Sequence, residues 1–170
     1  GDGGFSWYKD QTDLDSTRFA QYRDYDLMDS EDPVLNSALD IYADNVTRGS
    51  SDEDTVLEII CEQERVIEVL NELIRRTKLD SELWSIARAL AKFGDNFEEV
   101  VVYEDLEVHR LKHLPVDEMY VMTDEYGRLD AEYPYQQKAE LDDGIDFKDW
   151  QVLHFKLKRR RDSNYGVDGS

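Results

Sequence analysis

The segment Asp29–Gly49 constrains the fold most, because it carries the signals of a helix start, an amphipathic helix and a helix end. Asp29 or Ser30 can accept hydrogen bonds from the first free amides of a helix, and Pro33 fits an early helical position because its missing N–H costs nothing there. We therefore predict a helix from near Ser30 to Gly49, where glycine can adopt the left-handed conformation that ends it. Apolar residues recur at three- and four-residue steps and predict one buried stripe: Val34, Leu35, Ala38, Leu39, Ile41 and Tyr42.

Length and charge limit the function classes. A chain of 170 residues can bury roughly 70% of its unfolded surface, so it can form one large or two small domains around a real core. Forty acidic residues against 20 basic ones give a net charge of −20, which repels a phosphate backbone and argues against a conventional DNA or RNA reader. The apolar runs are far shorter than the roughly 20 residues of a membrane helix, so we expect no membrane partner.

The residues before position 95 are predicted to be mainly helical. Glycine, aspartate and aromatic residues at the start predict an extended arm over 1–15, and the single cysteine, Cys61, is expected to be a small buried hydrophobe. Two consecutive helices should form an αα-hairpin in which Leu70 and Ile74 pack against Trp84 and Leu90. The predicted elements are a short helix Ser16–Met28, an acidic loop Ser50–Asp54, a strand Thr55–Cys61, a helix Glu62–Thr77 and a helix capped by Asp80 or Ser81 and stopped by Gly94.

From Asn96 onward the period of the apolar residues changes to two, which is typical of strands. The predicted strands are Phe97–Tyr103, Val108–Leu114, Met119–Asp124, Arg128–Gln136 and Gln151–Lys158, with a hairpin turn over 124–127 and a loop over Lys138–Trp150. The sequence therefore predicts an α+β fold over residues 16–170. Its N-terminal helices, including the αα-hairpin, pack on a small, mostly antiparallel sheet.

Motifs that would carry chemistry are weak in this chain. His109 and His113 lie in a predicted strand, and no acidic residue sits between them in the arrangement of a metalloprotease. Carboxylates are so numerous that spacing alone cannot select a catalytic pair, and the glycines form no phosphate-binding loop. We therefore predict neither an enzyme nor a bound metal or cofactor.

One concentrated basic cluster interrupts the acidic sequence. It consists of Lys156, Lys158, Arg159, Arg160 and Arg161, at the end of the last predicted strand. In an acidic protein such a cluster can meet the acidic surface of a neighbouring copy, which makes it a candidate subunit interface. A solvated strand end explains it equally well. A phosphate-binding site is a weaker alternative, because it would need interleaved aromatic residues or a longer basic stripe.

Several stretches, in order, resemble the N-terminal, wing-forming part of tailed-bacteriophage portal proteins. A tyrosine-arginine pair leads through an acidic turn to a helix ending in Tyr-Ala-Asp-Asn, and a later helix runs through a glycine-acidic turn into a strand. The stretches are 22–45, 83–98, 110–119 and 150–157, and the resemblance covers roughly residues 20–170. One departure is that Gly166 is followed by Val-Asp-Gly-Ser, whereas portals usually have a tighter Tyr-Gly-x-Ser.

The resemblance implies a structural role in the virion. Portals form a ring, usually a dodecamer, at one capsid vertex, where they connect head and tail and conduct DNA during packaging and ejection. The implied partners are other copies of the chain, the capsid protein, the terminase, tail or neck proteins, and double-stranded DNA that passes without sequence-specific binding. No catalytic residue is implied, because packaging ATP hydrolysis belongs to the terminase, and the chain would be the wing part of a longer protein. The alternative is an acidic protein-interaction module or an inhibitor that imitates nucleic-acid charge.

Overall fold

The computed structural model describes residues 7–49, 56–104, 106–123, 128–130, 132–138 and 144–157. Within these ranges the chain forms four α-helices and two three-stranded sheets, which confirms the predicted α+β fold. The helices are α1 (Trp7–Glu31), α2 (Pro33–Val46), α3 (Glu64–Thr77) and α4 (Leu79–Phe93). The strands are β1 (Asp95–Val102), β2 (Val108–Leu114), β3 (Met119–Val121), β4 (Tyr135–Gln137), β5 (Ile145–Phe147) and β6 (Val152–Lys156), with a short 3₁₀ turn at Asp149–Gln151.

All strand pairs are antiparallel. The first sheet has the order β2-β1-β6 and the second has the order β3-β4-β5. In the first sheet, Phe97 of β1 lies opposite Leu114 of β2 and His154 of β6. The prediction of a single sheet is therefore wrong. Among the described strands, the short strands β3, β4 and β5, each three residues long, pair only with one another and form the second sheet.

The hydrophobic core joins both sheets to the first helix. Phe97, Leu114 and Met119 are fully buried, and Tyr22 of α1 belongs to the same cluster. The Tyr22 ring packs edge-on against Phe93 at the end of α4, with ring centroids 5.4 Å apart. The other buried members are Val116, Tyr135, Phe147 and Val152. Tyr22 therefore anchors the long N-terminal helix to the core, and Phe19 and Tyr25 of the same helix pack against the same cluster.

The αα-hairpin of α3 and α4 is confirmed, but its predicted packing is only partly correct. The helices meet at Lys78, which has a positive φ of 55°, and Gly94 ends α4 with a φ of 78° and an N–H bond of 2.8 Å to the carbonyl of Leu90. Leu70 is 36% exposed, so the prediction that it is buried against α4 is wrong. Because α3 lies against both α4 and β2, its apolar stripe is divided between two neighbours and partly uncovered.

Two predictions near the N-terminus are also wrong. The extended arm expected over 1–15 is helical from Trp7 to Asp15, because α1 begins at Trp7 and includes the predicted short helix; residues 1–6 lie outside the described residues. The cap of α2 is Asp32, whose Oδ1 accepts hydrogen bonds from the amides of Val34 at 2.8 Å and Leu35 at 3.2 Å. Asp29 and Ser30 do not cap α2 because both still belong to the last turn of α1.

The apolar run after the acidic loop is not a strand. Residues 56–63 are irregular, and the amides of Val56 and Leu57 donate to Asp80 Oδ1 at 2.8 and 3.1 Å. Asp80 therefore holds this segment against α4, in which it is itself a first-turn residue, so it is not the helix cap. Cys61 is exposed, which contradicts its predicted burial. Val56, Leu57 and Ile59 of this run are partly buried, whereas Ile60 is exposed.

The remaining strand predictions are confirmed with other bounds: β1 is one residue longer than predicted, and β3 and β6 are shorter. β2 has the predicted limits, and the region predicted as one strand over 128–136 contains a bridge between Leu129 and Thr123 followed by β4. β5 lies inside the predicted loop Lys138–Trp150, so that prediction is wrong there. The acidic loop Ser50–Asp54 and the turn over 124–127 lie outside the described residues.

A matched pair of leucine replacements tests the position of the core. Leu114 is fully buried in the core, whereas Leu106 is almost fully exposed in a turn. Leu114→Ala is expected to lower the free energy of unfolding by about 2–5 kcal/mol, and Leu106→Ala to change it by less than about 0.5 kcal/mol. Urea denaturation measures both values. Equal losses at the two positions would contradict the core described above.

Candidate functional site

Helix α2 presents an apolar face to solvent. Val34 is 78% exposed, Ile41 is 59% exposed, and Tyr42 is 45% exposed. Val34, Ala38 and Ile41 follow one another at four- and three-residue steps, so they share one side of the helix. The predicted buried stripe is therefore wrong for most of its members, since only Leu39 and Ala43 of α2 are buried. A row of exposed apolar side chains on a helix is a feature of interaction surfaces.

The opposite side of α2 is held to α4 by an ion pair and to α1 by a hydrogen bond, and further ion pairs join α1 to α4. Arg88 of α4 donates two hydrogen bonds of 2.9 Å to the two carboxylate oxygens of Asp29 in α1. The Arg88 Nε donates to Asp40 Oδ1 of α2 at 2.6 Å, and Lys92 Nζ donates to Asp29 Oδ2 at 2.7 Å. Asn36 Nδ2 of α2 completes the set with a bond of 2.9 Å to Asp29 Oδ1. We call Asp29, Asn36, Asp40, Arg88 and Lys92 the ionic network.

The charge pairs of the ionic network stabilise the orientation of the helices that they join. The Arg88 guanidinium holds the pKa of the Asp29 carboxyl well below its usual range; burial acts in the opposite direction but is outweighed, with further help from Lys92 and Asn36. The same hydrogen bonds, to Asp29 and to Asp40, raise the pKa of Arg88 above its ordinary value. Both shifts favour the charged forms of Asp29 and Arg88. Their bidentate geometry fixes the orientation of α1 relative to α4.

A second polar contact ties α2 to α4. The indole Nε1 of Trp84 donates to Asp44 Oδ1 of α2 at 2.7 Å. Asp40 and Asp44 are one helical turn apart and both point toward α4. Because these carboxylates, together with Leu39 and Ala43, fill the side facing α4, most of the other apolar residues of α2 are turned outward.

The exposed face of α2 lies in an acidic region. Residues 16–49 contain seven acidic and three basic side chains. Five of the acidic side chains are exposed: Asp24, Asp26, Glu31, Asp32 and Asp44. An apolar face with acidic surroundings favours an apolar partner that also carries positive charge.

The predicted subunit-interface residues are only partly described. Lys156 is exposed at the end of β6, opposite Asp95 of β1, and lines an open cleft of about 160 Å³ together with Arg18 and Tyr22 of α1. The other four members of the basic cluster, Lys158, Arg159, Arg160 and Arg161, lie outside the described residues. The role of the cluster in an interface stays a prediction.

A largely buried carboxylate, that of Asp95, also lines this cleft. The Tyr22 hydroxyl donates to Asp95 Oδ2 at 2.7 Å, and His154 Nε2 lies 2.8 Å from Asp95 Oδ1. Burial raises the pKa of Asp95, but the contacts with His154 and Tyr22 outweigh burial and lower it below 3.8. The His154 ring also stacks on Phe97 at 4.2 Å between centroids. This arrangement joins α1, β1 and β6, so its evident role is structural.

The second histidine with a carboxylate partner lies on the other side of β1. Glu98 is buried, and its Oε1 lies 3.1 Å from His113 Nδ1 of β2 and accepts a hydrogen bond of 3.0 Å from Asn96 Nδ2. The contact with Glu98 raises the pKa of His113 above 6.5, burial opposes the shift, and the nearby Glu82 of α4 adds to it. His109 lies in the same strand and stacks on Tyr103. All three histidines are strand residues, as predicted.

Within the described ranges, no group of three or more His, Cys, Asp or Glu side chains is placed to hold a metal ion. No helix in the same ranges has both the length and the apolar composition needed to cross a membrane.

The ionic network was not predicted from the sequence, although one signal for it existed. Arg88 and Lys92 are four residues apart, so two cations share one side of α4 and require acidic partners if that side is covered.

The chain was compared with models of protein families and with curated proteins. No family model matches it, and no curated protein matches it at a significant level. The function is therefore inferred from the exposed face of α2, the distribution of charge and the order of the sequence motifs.

Removing one charge from the ionic network should be costly. Asp29→Asn leaves the largely buried Arg88 and Lys92 with only Asp40 and Asp26 as carboxylate partners, and we expect it to lower the free energy of unfolding by about 1–3 kcal/mol. The control is Glu72→Gln, which breaks an exposed pair with Arg75 and should cost less than about 0.5 kcal/mol. Chemical denaturation compares the two variants. If Asp29→Asn lowered the free energy of unfolding as little as the control does, the ionic network would not stabilise the helices.

The pair of His113 and Glu98 should make stability depend on pH. Because the folded-state pKa of His113 is raised above 6.5, the stabilisation is complete below the unfolded pKa and is lost as the pH rises through the folded pKa. We expect thermal denaturation between about pH 5 and about pH 8 to show this loss in the wild type and a weaker pH dependence in His113→Gln. Glu98→Gln, which removes the partner carboxylate, should weaken it similarly. An unchanged pH dependence in both variants would disprove the coupling.

Proposed function

We propose that this chain is the wing part of a ring-forming portal protein of a tailed bacteriophage, a structural protein without catalytic activity. The observation that carries the proposal is the exposed apolar face of α2, formed by Val34, Ala38, Ile41 and Tyr42. Assembly into a ring would cover this face. The order of the portal-like sequence motifs supports the same function, since the helix with this face is one of them.

A ring needs two different surfaces on each copy, because every subunit contacts one neighbour on each side through non-equivalent patches. The chain has two regions of opposite charge that meet this requirement. Residues 16–49 carry seven acidic side chains against three basic ones, whereas residues 156–161 contain five basic side chains and no acidic one. Opposite charges on the two sides favour head-to-tail contacts between copies over like-to-like contacts.

The overall charge suits a DNA conduit. A net charge of −20 opposes the release of counterions by which proteins bind DNA, so a double helix would pass without adhering. As the proposed portal, the protein would lie at one vertex of the capsid and assemble as a ring, with the dodecamer as the expected form. Its partners would be the capsid protein, the terminase and tail or neck proteins.

A second candidate is an acidic interaction module that imitates nucleic-acid charge. The net charge favours it, but the apolar face of α2 does not, because a charge mimic uses one continuous acidic surface. The two candidates also differ in assembly. The mimic would act as a monomer, and the portal must form closed rings.

Negative-stain electron microscopy of the full-length protein tests the proposal. We expect closed rings with a central hole. Ile41→Asp, which places a charge on the apolar face of α2, should greatly reduce the number of rings, whereas Ile60→Asp should not, because Ile60 is also exposed but lies outside the helices. Monomeric wild-type particles would refute the portal and favour the acidic module.

A further inference from the structure

We propose that the basic segment 158–170 of one copy docks on the apolar face of α2 and its acidic surroundings in a second copy. The inference rests on the proposed function, since it assigns the two surfaces of a head-to-tail contact. It identifies what covers the exposed face of α2, and it gives the basic cluster a specific receptor.

The receptor surface is a row of exposed apolar side chains on α2, with acidic side chains around it. Val34, Ala38 and Ile41 extend along one side of α2, and Tyr42 lies beside them with an exposed ring. The ionic network and the bond from Trp84 to Asp44 hold α2 against α4, so this face is presented without any movement of the helix. A docking segment would therefore meet a surface that is already formed.

The segment has the matching chemistry. Lys158, Arg159, Arg160 and Arg161 are consecutive, and Tyr165 and Val167 supply apolar side chains further along. Arginine can lay its aliphatic stem and planar guanidinium on apolar and aromatic surface while pairing with carboxylates at the edge. The exposed ring of Tyr42 offers such a surface, and the exposed carboxylates of Asp24 and Glu31 lie on the neighbouring helix α1.

The two surfaces lie in different parts of each copy. Strand β6 ends at Lys156, beside the cleft lined by Arg18 and Tyr22 in the middle of α1, whereas the apolar face belongs to α2, which follows the C-terminal end of α1. A contact that joins the end of β6 in one copy to α2 in the next leaves the same two surfaces free at the ends of the pair. Such a contact propagates, as a ring requires.

Site-specific photocross-linking in the full-length protein tests the docking. A photoreactive residue replaces Ala38 on the exposed face of α2, and in a control protein it replaces Ser85, which is exposed on α4. Dissociated protein with natural isotopes is mixed with an equal amount of dissociated ¹⁵N-labelled protein, and the mixture is then allowed to assemble. Cross-linked peptides are identified by mass spectrometry. We expect position 38 to link to residues 158–167 in peptides of mixed isotope content, and position 85 not to do so.

Charge reversal provides a second test of the docking. The triple change Arg159→Glu, Arg160→Glu and Arg161→Glu should lower the yield of the cross-link from position 38 by roughly tenfold, because it replaces attraction by repulsion. Adding Asp24→Arg and Glu31→Arg on α1 should restore much of the yield. A restored yield shows that the charges meet, since two independent defects would not correct each other.

The outcomes separate this inference from the proposed function. Rings whose cross-links from position 38 map elsewhere, or map to 158–167 of the same copy only, overturn the inference and leave the portal proposal standing. Cross-links between copies in particles that are not closed rings support the inference and overturn the portal. Monomeric particles without cross-links between copies overturn both.

Discussion

The arrangement of the helices depends on the carboxylate of Asp29. It lies in the last turn of α1, receives two hydrogen bonds from Arg88 and one from Lys92, and is also bonded by Asn36 of α2. A buried charge is tolerated only when it is paired and hydrogen-bonded, so these contacts determine where α1 and α2 lie relative to α4. Because the inner side of α2 is occupied by this polar network, most of the helix's apolar side chains remain on its outer side. The exposed face is therefore a consequence of the ionic network.

The predictable parts of the fold are those in which a local sequence signal is compatible with only one kind of secondary structure. The change to a period of two at Asn96 located β1 and β2, and Gly94 marked the end of α4 because its positive φ suits glycine. The cap of α2 was not predictable, since Asp29, Ser30 and Asp32 all have suitable side chains, and only the ion pair with Arg88 in another helix decides among them. β5 escaped prediction because three residues show no periodicity. The outward face of α2 could not be predicted either, since an apolar stripe normally faces the core, and only the bonds of Asn36 and Asp40 to Asp29 and Arg88 place the polar side of the helix inward.

The proposed portal function connects these features. The ionic network stabilises the helical layer, the core around Phe97 anchors α1 to the sheets, and the exposed side of α2 is left for a neighbour. The strong negative charge is compatible with DNA passing nearby, and the basic cluster provides the opposite sign that a directional contact needs. Stability and assembly are thereby assigned to opposite sides of one helix.

Hydroxyl-radical footprinting of the full-length protein tests the central claim most directly, namely that assembly covers the outer face of α2. Tyr42 on this face and Tyr103 at the end of β1 are exposed to similar extents, 45% and 53%, so they should be labelled at similar rates in dissociated protein. In assembled protein, the account predicts that Tyr42 becomes strongly protected while Tyr103 keeps its reactivity. Equal labelling of Tyr42 in the assembled and dissociated states would contradict the account, because the apolar face of α2 would then remain open to solvent.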